Sequence, residues 1–260
     1  MKRPQSPPWT LLFLITYGLL CYLPLAYLFI NSLKYEGQFS TYWYEQLFAD
    51  TNLLEPTVRS LQIAFLNGLC STLLGLITAL ALKSGKFPLT KKITNFFLGA
   101  SLALPELVMA LSLLSWFFVI GLKLSLITVI ISHITFSLAF SVFIINARLA
   151  QMDPRLEEAA ADLGASPLQI TTKIILPQLT PASALSIFLC FLLSFDDFLI
   201  TYFVSGIGSD TLPLRLYQVL KQGTSPKISA LASLLIAFPL LTLAIVRIYP
   251  KFIGGRKNGE

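Results

Sequence analysis

Long uncharged apolar runs alternate with short polar segments along this chain, and the alternation predicts an all-helical membrane protein. Runs 9–30, 60–82, 124–147 and 228–246 approach or exceed the ~20 residues a helix needs to cross about 30 Å of hydrocarbon. Two more runs are interrupted by acids, one around Glu106 and one around Asp196-Asp197, which makes six spans. Pro105 interrupts 96–122, so the third span is read as one kinked helix. Segment 83–95 is basic and broken by Pro88, and reads as a simple turn between spans. Segment 31–58 carries Glu36, Glu45, Asp50 and Glu55 with the aromatic run Tyr42-Trp43-Tyr44, a pattern of headgroup anchoring. Segment 205–227 is rich in turn residues and holds a short amphipathic helix over 212–220.

The polar stretch 148–178 has its own start and stop signals. Asp153-Pro154 offers a capping acid and a proline at the first helical position, and Gly164 offers a left-handed stop, which frames a helix over 154–163. Glu157 and Glu158 fall in its first turns, where the helix dipole favours them. Ser166-Pro167-Leu168-Gln169 has capping-box spacing and starts a second short helix that runs towards Pro177. The two helices form an elbow at Gly164-Ala165. Ala159, Ala160 and Ala161 allow close approach, while Leu163, Leu168, Ile170 and Ile174 offer apolar contact. On these rules alone the elbow is either a handle for another protein or a loop that tucks against its own bundle.

Composition supports the membrane reading and charge adds an orientation. Apolar residues make up 55% of the chain and charged residues 12%, with a mean hydropathy of +0.74. If both termini share a side with 83–95 and 148–178, that side holds thirteen Lys and Arg residues and the other holds six, which places it in the cytoplasm. The net charge of +6 is then topology and anionic-lipid contact rather than a nucleic-acid stripe. The first run is longer than a signal-peptide core and lacks a small-residue cleavage site, so it is retained as a helix. Cys21, Cys70 and Cys190 stand singly, without metal or redox spacing, as packing residues. The single histidine, His133, is read as bonded to a neighbouring carbonyl. No phosphate-binding loop, HExxH or GxSxG pattern is present, so no catalytic or metal residues are assigned and the chain is not read as an enzyme.

Glu106, Asp196 and Asp197 are the chemically informative residues. An ionised acid at the centre of a span costs on the order of 2.5–3.5 kcal/mol. No Lys or Arg lies within the apolar spans to offset it. A cationic ligand would supply the missing charge, with Phe195, Phe198, Tyr202 or Trp116 packing on its apolar parts. Two other roles stay open: Asp197 facing a partner chain, and Glu106 capping the helix after Pro105. On one continuous helix, neighbours Asp196 and Asp197 would diverge by about 100° and could not both face one narrow path.

Glu158, Ala159, Ala160, Gly164 and Pro177, with the ending Ile174-Ile175-Leu176-Pro177, resemble the EAA loop of type I ABC permeases. Ser132-His133-Ile134-Thr135-Phe136, Ser194-Phe195-Asp196-Asp197, Leu212-Pro213-Leu214-Arg215 and Thr224-Ser225-Pro226 with Ala230-Leu231-Ala232 resemble the spermidine/putrescine subgroup, and within it the second permease subunit. The resemblance implies six transmembrane helices of the type I (MetI-like) permease fold. Its parts are a cytoplasmic N-terminus (1–8), a first helix (9–30), a permease domain (57–248) and a cytoplasmic tail (249–260). It implies an ATPase-coupling loop of Glu157, Glu158, Ala159, Ala160, Asp162, Leu163, Gly164, Ala165 and Pro177. The intramembrane acids and aromatics then read as a polyamine pathway of Glu106, Asp197, Asp196, Tyr202 and Trp116, in which the resemblance implies Asp197 as pathway acid and Asp196 at an interface. The expected partners are an ABC ATPase dimer, a sister permease, an extracytoplasmic polyamine-binding protein and membrane lipid. No cofactor is expected on this chain, because ATP and Mg would sit on the ATPase. The expected location is the bacterial inner membrane. Permeation of ferric ion, thiamine or a similar small cargo is the alternative, followed by a stand-alone ion-coupled carrier.

Overall fold

The computed structural model describes residues 8–83, 88–223 and 226–237. Among these, four helices are long and apolar enough to cross a membrane, or five if one bent pair counts as a single span. Of the sixth apolar run, only helix Pro226–Ala237 is described; the rest of 228–246, the tail and residues 1–7 lie outside the described residues. The chain divides into two compact units, one comprising residues up to Leu54 and from Leu216 onward, the other Glu55–Arg215.

The first unit opens with α1 (Pro8–Ser32), whose apolar side chains are exposed on all sides, as suits a helix solvated by lipid. A two-residue hairpin follows, β1 (Lys34–Tyr35) against β2 (Gln38–Phe39), and both turn residues, Glu36 and Gly37, have positive φ. Helix α2 (Tyr42–Phe48) presents the aromatic run to this hairpin: the rings of Tyr35 and Tyr42 stack at 4.0 Å, and Trp43 Nε1 donates to the Lys34 carbonyl at 2.7 Å. The aromatic run therefore bonds and stacks on the protein's own groups. Tyr44 OH also lies 2.7 Å from Ser233 Oγ, and Lys227 pairs with Asp50 at 3.2 Å.

The second unit is built on α3 (Thr51–Lys83), α6 (Leu126–Leu149) and α9 (Leu176–Phe195). Small and polar residues line the middle of their contacts. Asn67 Nδ2 donates to Ser137 Oγ at 2.9 Å and to the Cys190 carbonyl at 2.8 Å, and Ser71 Oγ donates to Asn67 Oδ1 at 3.0 Å. Further along, Ser186 Oγ lies 2.9 Å from Thr72 and donates to Ser141 at 2.8 Å. Such bonds contribute about 0.6 kcal/mol each within a bilayer, so the seam fixes register more than it supplies bulk stability. Gly75 is required here, because a Cβ at that position would overlap the side chain of Ser141. Apolar packing closes both ends, with Ile63, Ala110, Phe117, Val129, Ile200 and Val204 at one and Ala79, Ile145, Ile175 and Leu179 at the other.

The region after α3 departs from expectation twice. Segment 83–95 is not a simple turn: Pro88 starts α4 (Pro88–Ala103), where a first-turn proline gives up only an amide with no helical partner. Nor is the third span one kinked helix. Helices α4 and α5 (Glu106–Val119) meet at 115°. Pro105 is extended (ψ 135°) and disfavours helical geometry in Leu104, so the chain turns sharply before restarting.

Candidate functional site

Asp196 and Asp197 do not sit on a continuous helix. Helix α9 stops at Phe195, and α10 (Leu199–Val204) begins after a three-residue break. A new helix presents unpaired amides, and Asp197 supplies their acceptor. Its Oδ1 accepts from Ile200 N at 3.2 Å, while Oδ2 accepts from Thr201 N at 2.9 Å and Thr201 Oγ1 at 2.7 Å. The expected 100° divergence therefore does not apply: Asp197 folds back onto α10 and is 7% exposed, whereas Asp196 is exposed.

His133 reaches this cap from α6. Its Nε2 lies 3.0 Å from Asp197 Oδ2 and 3.1 Å from Thr201 Oγ1, and its Nδ1 lies 2.7 Å from Ser194 Oγ. The Thr201 hydroxyl proton is already given to Asp197, so Nε2 carries a hydrogen and donates it to the carboxylate. The expected partner was a carbonyl. The ring instead bonds three side chains, because a buried carboxylate beside it needs a donor. Glu106, the exposed first residue of α5, places its carboxyl within hydrogen-bonding reach of Asp197.

The corner thus gathers Glu106, Asp196 and Asp197. Tyr202, half exposed, is one turn further on, with its ring 5.6 Å from that of Phe198. Trp116 is exposed but lies ten residues along α5 from Glu106, about 15 Å, and does not join the cluster. Phe195 stacks on Phe191 of its own helix at 5.8 Å. Thr201 went unnoticed in the sequence, and Ser194 was named only within the Ser194-Phe195-Asp196-Asp197 motif. Their signal was spacing, since Ser194, Asp197 and Thr201 stand at i, i+3 and i+7, but nothing local ties that spacing to His133 on another helix.

The second candidate region is the elbow. Asp153 Oδ1 accepts from Arg155 N at 3.0 Å and starts α7 (Arg155–Asp162). Gly164 ends it at φ +82°, with Gly164 N donating to Ala161 O at 2.9 Å and Ala165 N to Ala160 O at 3.0 Å, a Schellman closure. The Ser166 capping box forms as expected: Ser166 N donates to Gln169 Oε1 at 2.8 Å, and Gln169 N donates to Ser166 Oγ at 3.3 Å. Helix α8 (Pro167–Ile170) does not end short of Pro177. It continues through a π-helical turn (Thr171–Ile175) into α9, and the wider turn stands directly before Pro177, whose ring would crowd a regular α-turn. Glu158, Ala159, Asp162, Leu163 and Gly164 are exposed, and Ala160 and Ala165 are half-buried. Leu163 and Leu168 project at 89% and 72% exposure, whereas Ile170 packs inward. Glu157 pairs with Lys83, a contact the sequence gave no reason to expect.

Known proteins are similar to this chain in sequence and in fold. Residues 71–253 match the family described as "Binding-protein-dependent transport system inner membrane component". The chain is 38% identical over 232 residues to the spermidine/putrescine transport system permease protein PotC of Haemophilus influenzae, covering 86% of this chain and 88% of that one. It is 33% identical over 242 residues to the putrescine transport system permease protein PotI of Escherichia coli K12, covering 88% and 86%. A chain of a bacterial ABC transporter that imports the acidic polysaccharide alginate superposes with a TM-score of 0.73 at 18% identity, covering 96% and 95%, which extends the likeness of fold. An integral membrane chain with this fold, and this match over most of its length, belongs to the binding-protein-dependent transport system inner membrane component family.

Proposed function

We propose that the chain and a sister permease form the membrane path of an ATP-driven polyamine importer, and that the carboxylate corner receives the cargo's ammonium groups. The observation that carries this is the meeting of Glu106, at the start of α5, with Asp196 and Asp197, at the break between α9 and α10, two of the three exposed, beside the aromatic pair Phe198 and Tyr202. Exposed carboxylates at membrane depth are costly until a cation arrives. An alkylammonium chain supplies the charges, and its methylenes suit an aromatic wall. Because Asp197 is committed to capping α10, Glu106 and Asp196 are the groups that meet cargo, and Asp197 holds them in place. Relatives named for spermidine and putrescine transport support the same cargo class.

The elbow serves as the handle for a cytoplasmic ATPase dimer that binds ATP and Mg, with Leu163 and Leu168 as apolar contacts and Glu158 at the rim. A binding protein outside the inner membrane delivers cargo to segments 31–58 and 205–227. Closure of the ATPases moves the elbow, and the helices joined to it switch access between the two sides.

The test is uptake of labelled spermidine by the assembled transporter in proteoliposomes, with putrescine, ferric ion and thiamine as competitors. Putrescine should compete, and Glu106→Gln and Asp196→Asn should each lower uptake at least tenfold without loss of assembly, about 1.4 kcal/mol or more. Wild-type rates in both variants would remove the corner from the path. Competition by ferric ion or thiamine alone would reassign the cargo.

A further inference from the structure

We infer that His133 is a positioning residue for cation recognition, acting through Asp197 on Glu106 and on the break that presents Asp196. The inference rests on the corner being the cargo site.

Three features separate His133 from a residue that merely fills space. It is 2% exposed, yet both ring nitrogens are engaged, one by Ser194 at the end of α9 and the other by Asp197 and Thr201 across the break. A filler in an apolar core needs no such set of partners, and each polar atom buried without one costs about 1–3 kcal/mol. Next, the Nε2–H supplies a positive edge to a carboxylate that already touches a second carboxyl, that of Glu106. Like groups at such range repel, and a donor on one of them lets the pair stay together. Finally, Ser194 and Asp197 lie on opposite sides of the break, so the ring bridges it from a separate helix. Two helices joined by three non-helical residues would otherwise be free to change their angle.

The placement also links the corner to the elbow. Helix α6 ends at Leu149, next to the elbow, and His133 lies fifteen residues before Arg148, about 22 Å along the same helix. Helix α9 leaves the other side of the elbow and ends at the same imidazole through Ser194. The two helices that carry the elbow are thus cross-linked at their far ends by one side chain, and the carboxyl groups hang from that link.

The experiment uses the full transporter, with sister permease, ATPase and binding protein, in proteoliposomes. His133→Met fills the volume without a donor, and His133→Gln places an amide Nε2 near the imidazole Nε2. Spermidine and putrescine uptake, ATP hydrolysis stimulated by loaded binding protein, and the amount of assembled complex are measured together. Per assembled complex, His133→Met should lose at least tenfold in spermidine uptake and change its putrescine-to-spermidine ratio more than threefold. His133→Gln should return to within about threefold of wild type. Equal loss of both cargoes in proportion to lost assembly, uptake by His133→Met within twofold of wild type, or no advantage of Gln over Met would each overturn the inference. Failure of the wild-type chain to carry either polyamine would sink the cargo reading by itself; the Met-to-Gln comparison tests His133 separately.

Discussion

Lys83, the last residue of α3, pairs with Glu157 in the first turn of α7, seventy-four positions along the chain. The pair is partly exposed, with side chains 32% and 27% accessible, so its direct contribution to stability is about 0.2–1 kcal/mol. Its effect lies in register: it fixes the elbow's first helix to a helix that is not its neighbour in sequence. Lys83→Glu and Glu157→Lys should each reduce ATP-driven uptake two- to fivefold, and the double reversal should recover most of it. An additive loss in the double variant, measured by the same uptake assay, would show that the pair does not act as a unit.

Gly164 makes a separable prediction. A Cβ there meets nothing within 4 Å, so any penalty comes from the backbone at φ +82° and not from a clash. Asparagine tolerates that region and β-branched residues do not. Gly164→Asn should bind the ATPase within about twofold of wild type, whereas Gly164→Val should lose tenfold or more, or release it, in a co-purification titration.

The apolar tips of the elbow can be tested without disturbing its fold. Leu163 and Leu168 project into solvent, and burying a leucine contributes about 1.5–3 kcal/mol. Leu163→Glu or Leu168→Glu should weaken ATPase binding by ten- to a hundredfold while leaving the thermal midpoint of the isolated chain unchanged. Ile170→Glu should lower that midpoint instead, because Ile170 packs against the cluster of Ala79, Ile145, Ile175 and Leu179.

Close packing of α3 on α6 predicts a compensating pair. Gly75→Ala forces a methyl onto Ser141, and the cost of such overpacking is typically 1–3 kcal/mol. Adding Ser141→Gly removes the obstructing side chain, although it also removes the acceptor of the Ser186 hydroxyl. The double variant should regain about half of the lost stability in a detergent-resistance or thermal assay. No recovery would mean that the clash is not what limits Gly75.

Much of the elbow was legible in the sequence because its signals are local. Asp153, Gly164 and the Ser166–Gln169 box each act within five residues, and the structure forms every bond they forecast. Spans 9–30, 60–82 and 124–147 were equally readable, since length and apolarity decide them. What escaped were the breaks. A run such as 179–204, apolar apart from its acids and hydroxyls, reads the same whether its helix continues or stops, and only the cap formed by Asp197, Thr201 and His133 distinguishes the two. That cap joins residues sixty-four positions apart, which no local rule detects. The same limit hid the sharp turn at Pro105: a proline signals a kink, but its angle depends on what the next helix packs against. The polar seam went unread for a related reason, because Asn67 and Thr72 give no hint of their partners on α6 and α9.

The uninterrupted passage from Pro167 through the π-helical turn to Phe195 has a mechanical consequence. Twenty-nine residues in one stiff rod extend about 44 Å. A tilt of roughly 5° about the midpoint swings each tip by about 2 Å, enough to make or sever a hydrogen bond. Pivoted at its middle, such a rod would carry a nudge at Pro167, reversed in direction, to the residues beside Asp196.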